Sequence, residues 1–264
     1  MKNIVFAGFV VLVFFFTCCT KDSENDGFPI AVEKKNTALF TKQTATWCGL
    51  SGTWGWTLNA ELVPLLEPES VCVSLYGSGA SLFYNKASAE FCYRFSPGSG
   101  WPTFCVNANT QMKVEGFTIN DPLIIKARCL HAIDSFIDSP VIANSGFQNT
   151  VIGENIQIKT RTEFFQDGGD GEYYIGAYLV EDSIMGMQKG QTGIVQHDNV
   201  LRGSAHNTSW GERINSVVTA GSSFNHTFFT RIDSTWNPDK IKVFTVIWKK
   251  TGATSYEFVN AHKP

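Results

Sequence analysis

The sequence predicts an α+β chain of two unlike halves, an α/β unit at the amino end and a unit of packed strands at the carboxyl end. Two observations carry this. From Asn36 to about Asp138, strand-like and helix-like stretches alternate, whereas from about Val141 onward strands and turns follow one another with hardly a helical period. The boundary falls near Ser139-Pro140. The expected division is 1–18 signal peptide, 19–34 polar tether, 35–140 first domain and 141–264 second domain.

The amino terminus sets the compartment. Lys2 and the apolar run Ile4 to Phe16 form a charged start and a hydrophobic segment too short for a comfortable span, the pattern of a secretory signal. The run ends at Thr17-Cys18-Cys19-Thr20 and the composition turns abruptly polar through Lys21, Asp22, Glu24 and Asp26. This resembles a relaxed bacterial lipobox. Cys19, or alternatively Cys18, is the expected site of lipid attachment, with the following residues as a tether to a membrane surface.

The roughly 245 residues that remain, in a chain with 43% apolar content, can bury a substantial core. A net charge of −3 without a clustered basic stripe excludes nucleic acid as the expected partner. No second apolar run is long enough to span a bilayer, so membrane contact is expected through the lipid alone.

Within the first half, Thr37 to Thr44 reads as a strand with a polar end at Lys42 and Gln43. A helix follows from near Gly52, with Trp54, Leu58, Leu62 and Leu65 on one face and Pro64 expected to bend or end it. Val71 to Tyr76 is a nearly continuous apolar run, as a strand covered on both faces requires. Ala87 to Phe95 reads as a helix and Trp101 to Val106 as a strand. Asp121-Pro122 then supplies a cap and a first-turn proline for a helix carrying Leu123, Ala127, Leu130, Ile133 or Asp134, and Ile137. In the second half, Asn155 to Phe165 and Tyr173 to Val180 flank the turn Asp167 to Gly171 and are expected to pair as a hairpin. Val217 to Ile232, Ile241 to Lys249 and Tyr256 to Ala261 read as further strands, and Met185 to Trp210 as a long polar excursion.

Chemistry concentrates at Ala45-Thr46-Trp47-Cys48-Gly49-Leu50-Ser51. With the element order of the first half, this loop resembles the redox loop of thioredoxins with the second cysteine replaced by Ser51. Trp101-Pro102-Thr103 resembles the segment of that family whose proline is cis and lies opposite the first cysteine. The implied architecture is a thioredoxin-like domain followed by an immunoglobulin-like β-sandwich. Leu50, Ser51 and Trp101 all depart from the working pattern, and Trp101 stands where it could cover the cleft. In a dithiol enzyme the first thiolate attacks a disulfide and the second resolves the mixed disulfide. Ser51 cannot do so, which leaves Cys48 as a candidate thiolate for one-thiol chemistry at most.

Lipobox, degraded loop and strand-rich second half together resemble the twenty-eight-kilodalton outer-membrane lipoprotein family of Gram-negative anaerobes. The segments His197 to Arg202, Trp236-Asn237-Pro238 and Phe258 to Ala261 look like its recurring stretches. The resemblance implies a lipid-anchored protein of the outer membrane, on its periplasmic face or at the cell surface, with an adhesion or receptor role toward a protein or glycan ligand. It adds no catalytic residue beyond the Cys48 position.

Other chemistry is sparse. Cys48, Cys72, Cys92, Cys105 and Cys129 all lie in the first half, an odd number. Cys48 is the natural free thiol at a helix start. The other four read as buried free thiols in preference to two disulfides, Cys72 and Cys105 being placed on neighbouring strands. Asp167, Asp170 and Glu172 lack the full Ca²⁺-loop pattern, and His131, His197, His206, His226 and His262 lack metal-ligand spacing. Neither a metal nor a cofactor is expected. Two functions remain, a non-catalytic binding scaffold, which is favoured, and a monothiol redox protein using Cys48.

Overall fold

The computed structural model describes residues 30–114, 117–215 and 218–264. The signal-like run, Cys18, Cys19 and the tether as far as residue 29 lie outside the described residues.

Parallel strands need a long crossover, and the first half supplies one. β1 (Ala38–Thr44) pairs in parallel with β2 (Ser70–Tyr76) through α1 (Gly49–Gly52) and α2 (Trp54–Leu66). Every residue of both strands is buried, Lys42 and Gln43 included, so the expected polar end of β1 is in fact covered. After α3 (Lys86–Phe95), β3 (Thr103–Val106) pairs antiparallel on the other side of β1 and continues into β4 (Asn109–Thr110). A small hairpin, β5 (Lys113–Val114) with β6 (Phe117–Thr118), leads to α4 (Pro122–Ile137). Cys72 and Cys105 are therefore not on neighbouring strands, because β1 lies between β2 and β3. All five described cysteines are free.

Two helix faces are corrected. α2 buries Leu58, Leu62 and Leu66, while Leu65 is exposed, and Pro64 sits inside a helix that runs two residues past it. α4 buries Ile125, Cys129 and Ile133, and Leu123 is exposed. In each case the face that meets the sheet is set by the helix entry, which spacing alone leaves free by one or two residues. The cap of α4 is as expected: an Asp121 side-chain oxygen accepts from the Leu123 N–H at 2.9 Å and the Ile124 N–H at 3.4 Å. Asp121→Ala should cost about 1 kcal/mol, seen as a lower urea midpoint with an unchanged slope.

The carboxyl half builds a β-sandwich, one sheet of which is the first sheet continued. β9 (Glu172–Glu181), β12 (Val200–Ser204), β15 (Ile241–Lys250) and β16 (Tyr256–His262) give the order β16-β15-β9-β12-β2-β1-β3-β4, with β13 (Glu212–Asn215) also on β9. The join is a short parallel contact, Val200 opposite Ser74, where the Ser74 N–H donates to the Asn199 carbonyl at 2.7 Å. The second sheet is β14-β8-β7, formed by β7 (Ala143–Ile152), β8 (Asn155–Phe164) and β14 (Ser223–Arg231). The expected boundary near Pro140 falls in the connection between α4 and β7, and the main sheet runs through both halves.

The expected hairpin of β8 and β9 does not form, since the Asp167–Gly171 turn carries the chain from one sheet to the other. Burial explains why. β8 alternates buried and half-exposed residues, as one covered face requires, but β9 is buried along nearly its whole length and must be central in a sheet covered twice. On one side, Ile175, Leu179, Val243 and Ile247 pack with Ile156, Ile158 and Phe164 of the second sheet. On the other, Tyr178, Phe244 and Trp248 pack with Phe91 and Phe95 of α3.

Candidate functional site

The loop after β1 is held by contacts on two sides. On one, the Trp47 indole N–H donates to Ser78 Oγ at 3.0 Å, and the Thr46 N–H donates to Ser81 Oγ at 3.0 Å. On the other lies the tip of a hairpin formed by β10 (Ile184–Met187) and β11 (Ile194–His197). Gln188 Nε2 donates to the carbonyls of Ala45 at 3.2 Å and Cys48 at 3.0 Å, the Lys189 N–H donates to the Thr46 carbonyl at 2.8 Å, and Gln191 Nε2 donates to the Gly52 carbonyl. The approach is close enough to require glycine at 52, because a Cβ there would run into the Lys189 carbonyl.

The excursion read as polar thus has two characters. Met185, Met187 and Ile194 are exposed beside the loop, together with Trp47, Leu50 and Leu82, while Gln188, His197, Val200 and Leu201 are buried. No local pattern marks Gln188, since its acceptors lie some 140 residues earlier in the chain.

Cys48 opens the single helical turn α1, and its Sγ donates to the Trp101 carbonyl at 3.5 Å; the residue is 9% exposed. The Trp101–Pro102 bond is cis. Pro102 is buried against the start of α2, where a Cβ on Gly55 would overlap its ring. Cys48 and the Pro102 segment are therefore brought together across the fold. The Trp101 ring is half-buried and lies against Gly77 and the core that α3 shares with the carboxyl half. A cleft of about 400 Å³ lined by Leu50, Trp54, Trp101, Pro102 and Met112 lies beside this segment, and Cys48 is not part of its wall. Ser51 is 1% exposed, and among the described residues its hydroxyl has no hydrogen-bond partner. A buried hydroxyl left unpaired costs stability and supplies none of the chemistry of a thiol.

The remaining thiols are buried hydrophobes. Burial pushes Cys72 up to about 11 and Cys129 to about 12, and raises Cys92 and Cys105 further. Such groups stay protonated and inert at neutral pH. The acidic turn is occupied by its own neighbours. Asp167 accepts from the Ala220 N–H at 2.9 Å, and Glu172 pairs with Arg213 at 3.1 Å and Lys250 at 3.4 Å. Among the described residues no three metal-ligating side chains cluster.

A C-x-x-S loop at the end of a buried parallel strand, met from across the sheet by a cis-proline segment, defines a thioredoxin-like fold. Here its sheet continues into a β-sandwich. No protein-family model matches the sequence, and no curated protein does. Among solved structures the chain is similar to HBP35 of Porphyromonas gingivalis, at 16% identity and a TM-score of 0.67, over 88% of this chain and 76% of that one. That likeness spans both halves and is one of fold. A domain of the outer membrane lipoprotein Omp28 from the same organism overlays 47% of this chain and 88% of its own length, at 13% identity and a TM-score of 0.31.

Proposed function

We propose that the protein is a lipid-anchored envelope protein of the outer membrane or cell surface, of the twenty-eight-kilodalton lipoprotein kind, whose thioredoxin-like half is a scaffold for binding a protein or glycan rather than a catalyst. The observation that carries the reading is the surroundings of Cys48. Attack by its thiolate on a disulfide would leave a mixed disulfide that the Ser51 hydroxyl cannot release. The thiol itself is nearly buried against the Trp101 carbonyl, under a loop pinned by Gln188. The anchor rests on the sequence pattern from Lys2 to Cys19, and Cys19→Ala is the variant that should lose acyl labelling.

Alkylation of Cys48 in the mature chain, followed on its peptide by mass spectrometry, tests the reading. The native protein is expected to label at least tenfold more slowly than the urea-unfolded chain at neutral pH, as a shielded thiol should. Labelling faster than in the unfolded chain, with disulfide-linked adducts that vanish in Cys48→Ala, would put the monothiol redox reading in its place.

A further inference from the structure

Away from the Cys48 loop, the same sheet carries a second cavity with a charged wall. Successive residues of a strand point to opposite faces, so Lys42 of β1 shares a face with Ser74 and Tyr76 of β2, and the parallel register sets Lys42 beside Ser74. α2 crosses this face with Trp56, Asn59 and Val63, and the turn from β11 to β12 closes the end with His197, Asp198 and Asn199. Together they line a cavity of about 330 Å³, at the small end of the range for ligand pockets.

Lys42 is 4% exposed. Its Nζ lies 5.1 Å from the centre of the Trp56 ring, and among the described residues it makes no hydrogen bond or salt bridge. The neighbouring acid is engaged elsewhere: Asp198 Oδ1 accepts from the Ser183 N–H at 2.9 Å, and both of its oxygens accept from Gln196 Nε2, at 2.9 and 3.1 Å. His197 Nδ1 is 2.6 Å from the Tyr76 hydroxyl, and burial and the Lys42 charge push the imidazole down to about 4, so it is neutral. Burial lowers Lys42 to about 8, opposed by Asp198, which leaves it mostly protonated at pH 7. An ammonium with three donors and no acceptor, on a side chain this deeply buried, is costly unless something pairs with it.

We propose that this cavity binds a small organic monocarboxylate, its carboxylate seated on the Lys42 ammonium and its body against the Trp56 ring and Val63. A single lysine without arginine, with the Asp198 charge nearby, favours one negative charge over a phosphate dianion. The aromatic and aliphatic wall favours an organic body over an inorganic ion.

The test uses sodium benzoate as probe, titrated into the ¹⁵N-labelled mature protein while the Trp56 indole resonance, assigned with Trp56→Phe, is followed. A saturable shift is expected at millimolar concentrations, weakened at least tenfold in Lys42→Met. Benzamide, which has the same ring and no charge, should bind at least tenfold more weakly. Lys42→Met should melt no lower than the parent, since relief from burying the ammonium offsets its contact with the Trp56 ring and its attraction to Asp198, and Lys42→Gln is the second variant if methionine prevents folding. The proposal is overturned if benzoate gives no saturable shift, if benzamide or inorganic phosphate binds as well, or if both Lys42 variants keep full affinity.

Discussion

Asn260→Ala should destabilise the folded protein by about 3 kcal/mol. Asn260 is wholly buried in β16 and uses every hydrogen bond that a side-chain amide offers. Its oxygen accepts from the Thr37 N–H at 2.8 Å and the Ala261 N–H at 2.9 Å, and its nitrogen donates to the carbonyls of Lys35 and Ala143, both at 2.8 Å. One side chain thereby joins the entry to β1, the start of β7 and the last strand. Alanine leaves Ala261 its bond to the Thr37 carbonyl, but leaves the buried Thr37 N–H and Ala143 carbonyl unpaired and frees the part-buried Lys35 carbonyl. Each stranded group costs about 1–3 kcal/mol, and water entering the vacated space returns part of that. The melting temperature should fall by roughly 6–12 °C. Asn260→Asp is the sharper control, because it keeps the acceptor for Thr37 while turning a carboxylate toward two carbonyl oxygens. It should be worse than alanine at neutral pH and recover on acidification. A loss below about 0.5 kcal/mol for alanine, the range of ordinary surface changes, would remove Asn260 from this role.

The parts of the fold that the sequence displayed are those decided within a dozen residues. β2 is a nearly continuous apolar run, α4 carries its cap and its proline in adjacent positions, and the two loops that meet at Cys48 each have a short local signature. What it did not display depends on partners chosen far away. Periodicity shows whether a strand is covered on one face or two. It does not name the strand beside it, so β8 and β9 read as a hairpin although they stand in different sheets. The same gap hid the continuity of the main sheet, which rests on one short contact between β12 and β2. Lys42 read as the wet end of a strand because a charge is seldom buried. Its cover comes from Trp56 and from the turn at His197 to Asn199, some 150 residues later. Ser51 was the exception. Its identity alone removed the resolving step, whatever the fold around it.

The second large effect concerns access to Cys48. Gln188→Ala should raise its alkylation rate at least tenfold, with Cys72, Cys92, Cys105 and Cys129 still unlabelled. Gln188 is 3% exposed, and its amide ties the Ala45 and Cys48 carbonyls to the β10–β11 hairpin, leaving no polar side chain in its place once it is cut back. The loop keeps its own turn, in which the Cys48 N–H donates to the Ala45 carbonyl at 3.0 Å, and the backbone bond from Lys189 to Thr46 also stays. The fold should therefore persist while the loop opens more often. A thiol this buried reacts from locally opened states, whose population follows the local opening free energy. Two hydrogen bonds to backbone carbonyls are worth about 1–3 kcal/mol together, and 1.4 kcal/mol is a factor of ten in that population. Equal acceleration of all five thiols would mean global unfolding instead of local release. An unchanged rate would mean that the Trp101 segment, not the hairpin, limits access. Faster labelling together with attack on oxidised glutathione, which leaves one glutathione on Cys48 as a lasting mixed disulfide and releases the other as thiolate, would show that the hairpin restrains a competent thiol, and that Ser51 leaves the adduct without an internal exit.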